Sequence, residues 1–401
     1  MHRTYTTSQG SMACKVSQIS CKISIVSKEI EVLVNNIKLK SLKMGKIYIS
    51  FNSGLNYILG RNASGKTTIF NAIRYAIGLD KSFSHNSFSS IELVILVNER
   101  EIRFTREVGS LLIRTTEKDL IQEIKAQTLE WDKYLKALLS FEYIYQSNSE
   151  SALPILDFCF LSEMKTTNRR KQWETVNSIC GINTSMFRVV ENDILALRKE
   201  VDQNKKYKAV IEEFSNKLVT NLNNNNQLSN SINSVGEIKE EFFNSYDEKE
   251  KLLLNAILKF DEIKDTSNKE LAIKLSEIES TFLNLNNHTG FHKEEFEGLE
   301  NFIKEKSTFM SFGAETYSRF LIILSIAIVS QGGSLNFPNF IVSDGYLSSN
   351  DNFTYSNAIT LLERLTTNNK NLQYIEFTNR QDVPSEHVVL DLYAQGDIHG
   401  C

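Results

Sequence analysis

Residues Gly60-Arg61-Asn62-Ala63-Ser64-Gly65-Lys66-Thr67-Thr68 have the types and spacing of a phosphate-binding loop, Gly-x4-Gly-Lys-Ser/Thr. Glycines in such a loop let backbone N–H groups wrap phosphate oxygens at a helix N-terminus. Lys66 would supply a point charge to the β and γ oxygens, and the Thr67 hydroxyl is placed for Mg2+. The chemistry indicated is the binding of ATP with Mg2+. Phosphoryl transfer also needs an acid on the metal. Phe340-Ile341-Val342-Ser343-Asp344 reads as an apolar strand ending in a carboxylate, so Asp344 would hold Mg2+ directly or through water.

These groups need particular elements around them. Residues 56–59 read as the strand before the loop, and residues 68–73 as the helix after it. Short β-type runs occupy 30–34, 46–51, 91–97, 101–106, 111–115 and 141–145. From about residue 185 to 306 the chain is rich in Glu, Lys, Asn and Leu and has no proline, which permits long helices. One heptad seam carries Ile194, Leu197, Val201, Ile211, Leu218 and Leu222, interrupted by Asn204, Lys208, Ser215 and Asn225. A second carries Leu253, Ile257, Phe260, Leu271, Ile278 and Leu285. Between them an Asn/Ser-rich stretch, residues 221–234, ends in Gly236 and favours a turn. The reading is two antiparallel helical arms forming an imperfect coiled coil, with an ordinary helical subdomain as the alternative. Compact α/β patterning returns afterwards: a helix over 320–329, a strand over 339–343, a helix over 356–365, and strands over 374–378 and 388–392. The expected organisation is a tail (1–29), the first half of an α/β P-loop NTPase head (30–185), a short helical coiled-coil insertion (186–306) and the second half of the head (307–401).

These parts, in this order, resemble the ABC-type ATPase heads of the SMC, RecF and SbcC group. Residues 54–68 look like that group's opening motif, with Asn62 at its usual asparagine, and Glu101-Ile-Arg-Phe-Thr-Arg106 looks like the strand that follows. The resemblance implies that Gln146 is the Q-loop glutamine linking Mg2+ and the attacking water to the arms. It implies a signature motif near Met310-Ser311-Phe312-Gly313-Ala314-Glu315, through which one head clamps the γ-phosphate held by another. Aligning Gly313 and Glu315 puts Phe312 where the family has serine; aligning Ser311 leaves one extra residue before Glu315. The family's catalytic glutamate follows the Walker B aspartate, and here that position is Gly345. Its switch histidine is replaced by Asn379, which can hydrogen-bond but takes no proton at neutral pH. A missing general base typically costs ~10²–10⁴ in rate, so slow turnover is expected. The family's Cys-x-x-Cys hook is absent.

The net charge of −4 excludes a polybasic nucleic-acid binder but leaves room for a local basic groove. Five scattered cysteines point to reduced thiols. The longest apolar run, 320–329, is half of what a membrane span needs, and the polar N-terminal residues lack a signal peptide's apolar stretch, so a cytoplasmic protein with no membrane partner is expected. Two functions follow. In the first, an ATP-dependent homodimer or paralogous heterodimer clamps DNA in repair or defence, with any cutting left to a nuclease or effector partner. Lys165, Arg169, Arg170, Lys171, Lys205, Lys206 and Lys208 are its candidate contacts. In the second, a nucleotide-gated module engages another protein without nucleic acid.

Overall fold

The structure, a computed structural model, describes residues 36–84, 87–138, 152–162, 169–181, 184–222, 229–289, 299, 303, 312–333, 335–347, 351–369 and 371–395. The expected strands at 30–34 and 141–145 lie outside these residues. The described residues divide into two compact units: those between 184 and 269, and those between 36 and 181 together with those between 270 and 395.

The larger unit holds two sheets. The first is antiparallel, ordered β2-β1-β4-β5-β6-β7, from β1 (Ile37–Met44), β2 (Ile47–Ser50), β4 (Ser90–Val97), β5 (Arg100–Glu107), β6 (Leu112–Glu117) and β7 (Leu120–Lys125). The second is parallel, ordered β11-β3-β10-β9-β8, from β3 (Gly54–Leu59), β8 (Phe160–Ser162), β9 (Phe340–Asp344), β10 (Gln373–Thr378) and β11 (Val388–Asp391). β3 and β10 are buried at every position, as central strands of a parallel sheet covered on both faces must be. Helix α1 (Lys66–Ala76) packs on β4 and β5 of one sheet and on β9 and β10 of the other. Its Phe70 meets Phe160 and Phe377 edge-on, at ring centroids of 5.7 and 6.0 Å.

The sheets are also pinned to each other by one polar side chain. β1 carries a register shift between Leu39 and Ser41, which frees the backbone of Leu39. Buried Gln373 satisfies both of its groups: Leu39 N donates to Oε1, and Nε2 donates to Leu39 O, each at 2.8 Å. The remaining helices of this unit are α2 (Leu129–Leu138), α3 (Leu153–Phe158), α4 (Arg169–Ile179), α7 (Phe312–Ser330), α8 (Asn352–Asn368) and α9 (Leu392–Gln395).

The smaller unit is built from α5 (Thr184–Leu222) and the first two thirds of α6 (Ser229–Thr289). Phe187 meets Phe260, Glu191 pairs with Lys264, and Lys208 pairs with Asp247, so the helices run antiparallel. Along α5, Phe187, Val190, Ile194, Leu197, Val201, Asn204, Lys208, Ile211, Ser215 and Leu218 are all buried or half-buried and follow an unbroken alternation of three and four residues. The polar interruptions therefore sit in the seam itself. Lys208 is accommodated there by Asp247 at 3.0 Å and by the Phe243 and Tyr246 rings, 4.8 and 5.2 Å from its ammonium. Helix α6 already includes residues 229–236, which the composition of 221–236 assigns to a turn. The far end of α6 departs from the expected boundary: Ile278, Phe282 and Leu285 are buried in the core of the larger unit.

Candidate functional site

The phosphate-binding loop leaves the C-terminal end of β3, between β11 and β10 in the parallel sheet, and enters α1 at Lys66. Its root is tied to the neighbouring strand by Gly60 N donating to Thr378 O at 3.2 Å. Ala63 and Gly65 have φ of +65° and +99°, the left-handed turns that aim successive N–H groups into one concavity. Gly65 caps α1 with no side-chain hydrogen bond, so the first-turn N–H groups of α1 are left to an anion. Gly60 is required by the loop's own packing, since a Cβ there would lie 2.2 Å from Ser64 Oγ and 3.1 Å from Leu392 Cβ. Ser64 Oγ is itself buried without a hydrogen bond.

Lys66 reaches back over the loop and donates from Nζ to Gly60 O at 2.6 Å and Arg61 O at 2.7 Å. Partial burial holds its amine below the usual lysine range, while the Asp344 carboxylate pulls the other way. That coupling brings Asp344, at the tip of β9, into the electrostatic neighbourhood of the loop, as the strand order β3-β10-β9 requires. The nest, the uncapped helix end and Lys66 fit a triphosphate. The exposed Thr67 at the head of α1 and the Asp344 carboxylate are the oxygen ligands that suit Mg2+. Among the described residues no cluster of three His, Cys, Asp or Glu could hold a metal alone, so such an ion would share its ligands with nucleotide and water.

Asn379, just past β10, lies beside the loop and donates from Nδ2 to Asn62 Oδ1 at 3.4 Å. Tyr393 of α9 donates from its hydroxyl to Asn379 O at 2.9 Å, and the Arg61 guanidinium lies 5.9 Å from the Tyr393 ring centroid. The C-terminal segment therefore flanks the loop, a feature the sequence reading missed. Gly345, where the sequence resemblance leads one to expect a carboxylate, has φ of +68°. Gly313 and Glu315 fall in the first turn of α7; Gln146 and Ser311 lie outside the described residues, as does Lys165.

The sequence reading also missed Glu376. It occupies the middle of β10, fully buried, where its neighbours are Tyr374, Ile375 and Phe377. A carboxyl between the apolar residues Tyr374, Ile375 and Phe377 of a central strand was the signal that could have found it. Burial pushes it up to about 8, against the pull of the Ser343 and Tyr374 hydroxyls.

The family described as an AAA domain matches residues 35–312. No curated protein sequence matches the chain. Among solved structures, the Smc head domain with an extended coiled coil bound to the C-terminal domain of ScpA, derived from Pyrococcus furiosus, is 14% identical with a TM-score of 0.52. The alignment covers 86% of this chain and 90% of that one. The Smc head domain with a coiled coil and joint from Pyrococcus yayanosii is 13% identical with a TM-score of 0.48, covering 86% and 92%. The fold is that of an SMC-type P-loop ATPase head. Among the described residues no helix is long and apolar enough to cross a membrane.

Proposed function

The chain belongs to the AAA domain family, and from that premise we propose that it is a nucleotide-gated head which binds Mg2+ and ATP at residues 60–68, turns ATP over slowly, and controls engagement of a protein partner. The observation that carries this reading is Lys66, held over a loop whose N–H groups converge and within electrostatic reach of the Asp344 carboxylate. In this reading the loop amides and Lys66 bind the phosphates, Thr67 and Asp344 hold the metal, and Asn379 orients loop residue Asn62. Mg2+ would neutralise charge between the β- and γ-phosphates. Slow turnover is argued from Gly345 and Asn379, neither of which can take a proton from water.

Protein engagement is favoured over nucleic acid by the near-neutral charge and by the fate of Lys208. That side chain, a candidate DNA contact by sequence, is committed to Asp247 within the arm. The solved Smc head carries a bound domain of ScpA, and this head would engage a protein partner comparably. An ATP-dependent pair of heads, joined through Gly313 and Glu315 with Ser311, would be the gated state, and Gln146 would report the nucleotide to the arm.

Calorimetry of wild type and Lys66→Ala tests the site. Wild type should bind ATP, and the variant should lose that binding while keeping its circular dichroism. Equal affinities would refute the assignment. Adding duplex DNA separates the two functions: an unchanged ATPase rate is expected, and strong stimulation would restore the DNA-clamp reading.

A further inference from the structure

β10 is flanked by β3 and β9, and its register places Tyr57 and Ser343 directly beside Glu376. Paired residues of neighbouring strands share a face, and side chains alternate along each strand. Tyr374, Glu376, Ser343 and Tyr57 therefore project to one side of the sheet, while Phe377 and Asp344 project to the other, where Phe377 meets Phe70 of α1. On the first side Tyr355 of α8 closes over the group, its hydroxyl within electrostatic reach of Glu376 and in hydrogen-bonding approach to Thr378, and its ring centroid 4.1 Å from the Arg380 guanidinium.

The cluster is almost fully buried: Glu376, Ser343, Tyr57 and Tyr374 are at 0% exposure and Tyr355 at 2%. One hydrogen bond of good geometry is made inside it, from the Tyr374 hydroxyl to Glu376 Oε2 at 2.8 Å. Four other polar atoms, Glu376 Oε1, Ser343 Oγ, Tyr57 Oη and Tyr355 Oη, make no hydrogen bond of good geometry within the protein, although the Ser343 hydroxyl and Leu347 N approach the Glu376 carboxyl and Tyr355 approaches Thr378. Buried polar atoms are nearly always satisfied, and several incompletely bonded ones around one carboxyl are the surroundings that hold an internal water, which needs two to four polar partners. The cluster also lies one residue behind two working positions. Ser343 precedes Asp344 on β9, and Thr378, two along from Glu376, precedes Asn379.

We propose that Glu376 is a positioning residue for the metal-binding end of β9, acting through a buried, water-holding polar cluster with Ser343, Tyr57, Tyr355 and Tyr374. It touches neither nucleotide nor metal. Its place in the interior and the opposite orientation of Asp344 exclude it as a substitute for the carboxylate missing at position 345. It sets where β9 ends, and with it the Asp344 carboxylate, by tying Ser343 through water to β3 and α8. The inference rests on the reading of Asp344 as the Mg2+ ligand.

The test compares Glu376→Leu, which removes both oxygens, with Glu376→Gln, which keeps shape and hydrogen bonding. ATP affinity is measured by calorimetry with Mg2+ and with chelator. Removing an outer partner of a metal ligand typically lowers metal affinity by about 10–100-fold. Glu376→Leu should therefore lose about 10-fold in affinity with Mg2+ and little in chelator, and Glu376→Gln should restore it. A packing role alone would depress both affinities together and would not need the amide. If Glu376→Leu fails to fold, Ser343→Ala combined with Tyr355→Phe should show the same selective loss. Equal Mg2+ dependence in wild type and the altered protein overturns the proposal. Should wild type bind no nucleotide at all, the functional reading falls, and a crystal structure of the nucleotide-free protein decides this one. Ordered water bonded to Glu376 Oε1 supports the cluster; a dry cluster overturns it.

Discussion

At the scale of single residues, Gly345 and Glu376 carry the most information. Gly345 stands where a water-orienting carboxylate is expected, and its φ of +68° is a conformation that L side chains adopt at a cost of roughly 1–2 kcal/mol. Gly345→Glu combines a gain in chemistry with a loss in backbone freedom, so Gly345→Ala is the control. Both should lower stability alike, and Gly345→Glu alone should raise phosphate release, by at least ~10-fold if the carboxylate finds the water. No gain over Gly345→Ala would place the base elsewhere. Glu376 allows a pH test. Its folded carboxyl is raised from 4.5 to about 8, chiefly by burial, so between those values the folded state keeps a proton that the unfolded chain releases. Its contribution is fully present below about pH 4.5 and is lost as pH rises through about 8. Glu376→Gln cannot release that proton, so its stability in urea should decline less than wild type between pH 5 and 8. Parallel curves would contradict a protonated Glu376. The loop residues 60–68 were legible in sequence because their chemistry is local. Glu376 was not, because its meaning depends on Ser343 and Tyr57, which the strand register brings beside it.

At the scale of elements, the helix that presents Lys66 ends as deliberately as it begins. Gly78 N donates to Tyr75 O and Leu79 N to Arg74 O, each at 3.0 Å, the paired bonds of a Schellman motif with Gly78 left-handed at φ +82°. The indole of Trp131 seals this end, donating from Nε1 to Ile77 O at 3.1 Å. A Cβ on Gly78 would lie 2.6 Å from that nitrogen. Gly78→Ala should thus lose roughly 1–2 kcal/mol from backbone strain alone and more from the displaced indole, read as a lower urea midpoint. A midpoint unchanged from wild type would show that the helix end adjusts freely. The strands on both sides of the loop, the Walker B strand and β10 were readable from their apolar runs. β7 and β8 were not: β7 is exposed at all but Ile124 and shows no alternation, and β8 has three residues. α6 continues through Gly236 although Asn, Ser and Gly there favour a turn, since helix propagation from a long neighbouring segment overrides weak local preference.

At the scale of the whole molecule, the sequence shift near residue 185 marks where the arm begins, but composition cannot mark where it ends. Residues 270–289 have the same charged and heptad-like character as the arm, yet Ile278, Phe282 and Leu285 are core residues of the larger unit. What distinguishes them is what they pack against, and that is invisible in a single helix's pattern. The arm's two strands of chain close up again where Glu191 meets Lys264, so its base can be bridged by a short flexible segment. Replacing residues 190–269 with a Gly/Ser linker should leave a soluble protein that binds ATP with wild-type affinity, because both sheets, the loop and Asp344 belong to the other unit. Extending the replacement to 285 should fail. It deletes three buried side chains whose individual truncation would cost about 2–5 kcal/mol each, and a domain's whole stability is only about 5–15 kcal/mol. The expected pair of results is one folded, nucleotide-binding product and one aggregated or unfolded product, read by circular dichroism and calorimetry. Two equally folded products would mean that the end of α6 is dispensable to the core, and two failures would mean that the arm itself is part of the folding unit.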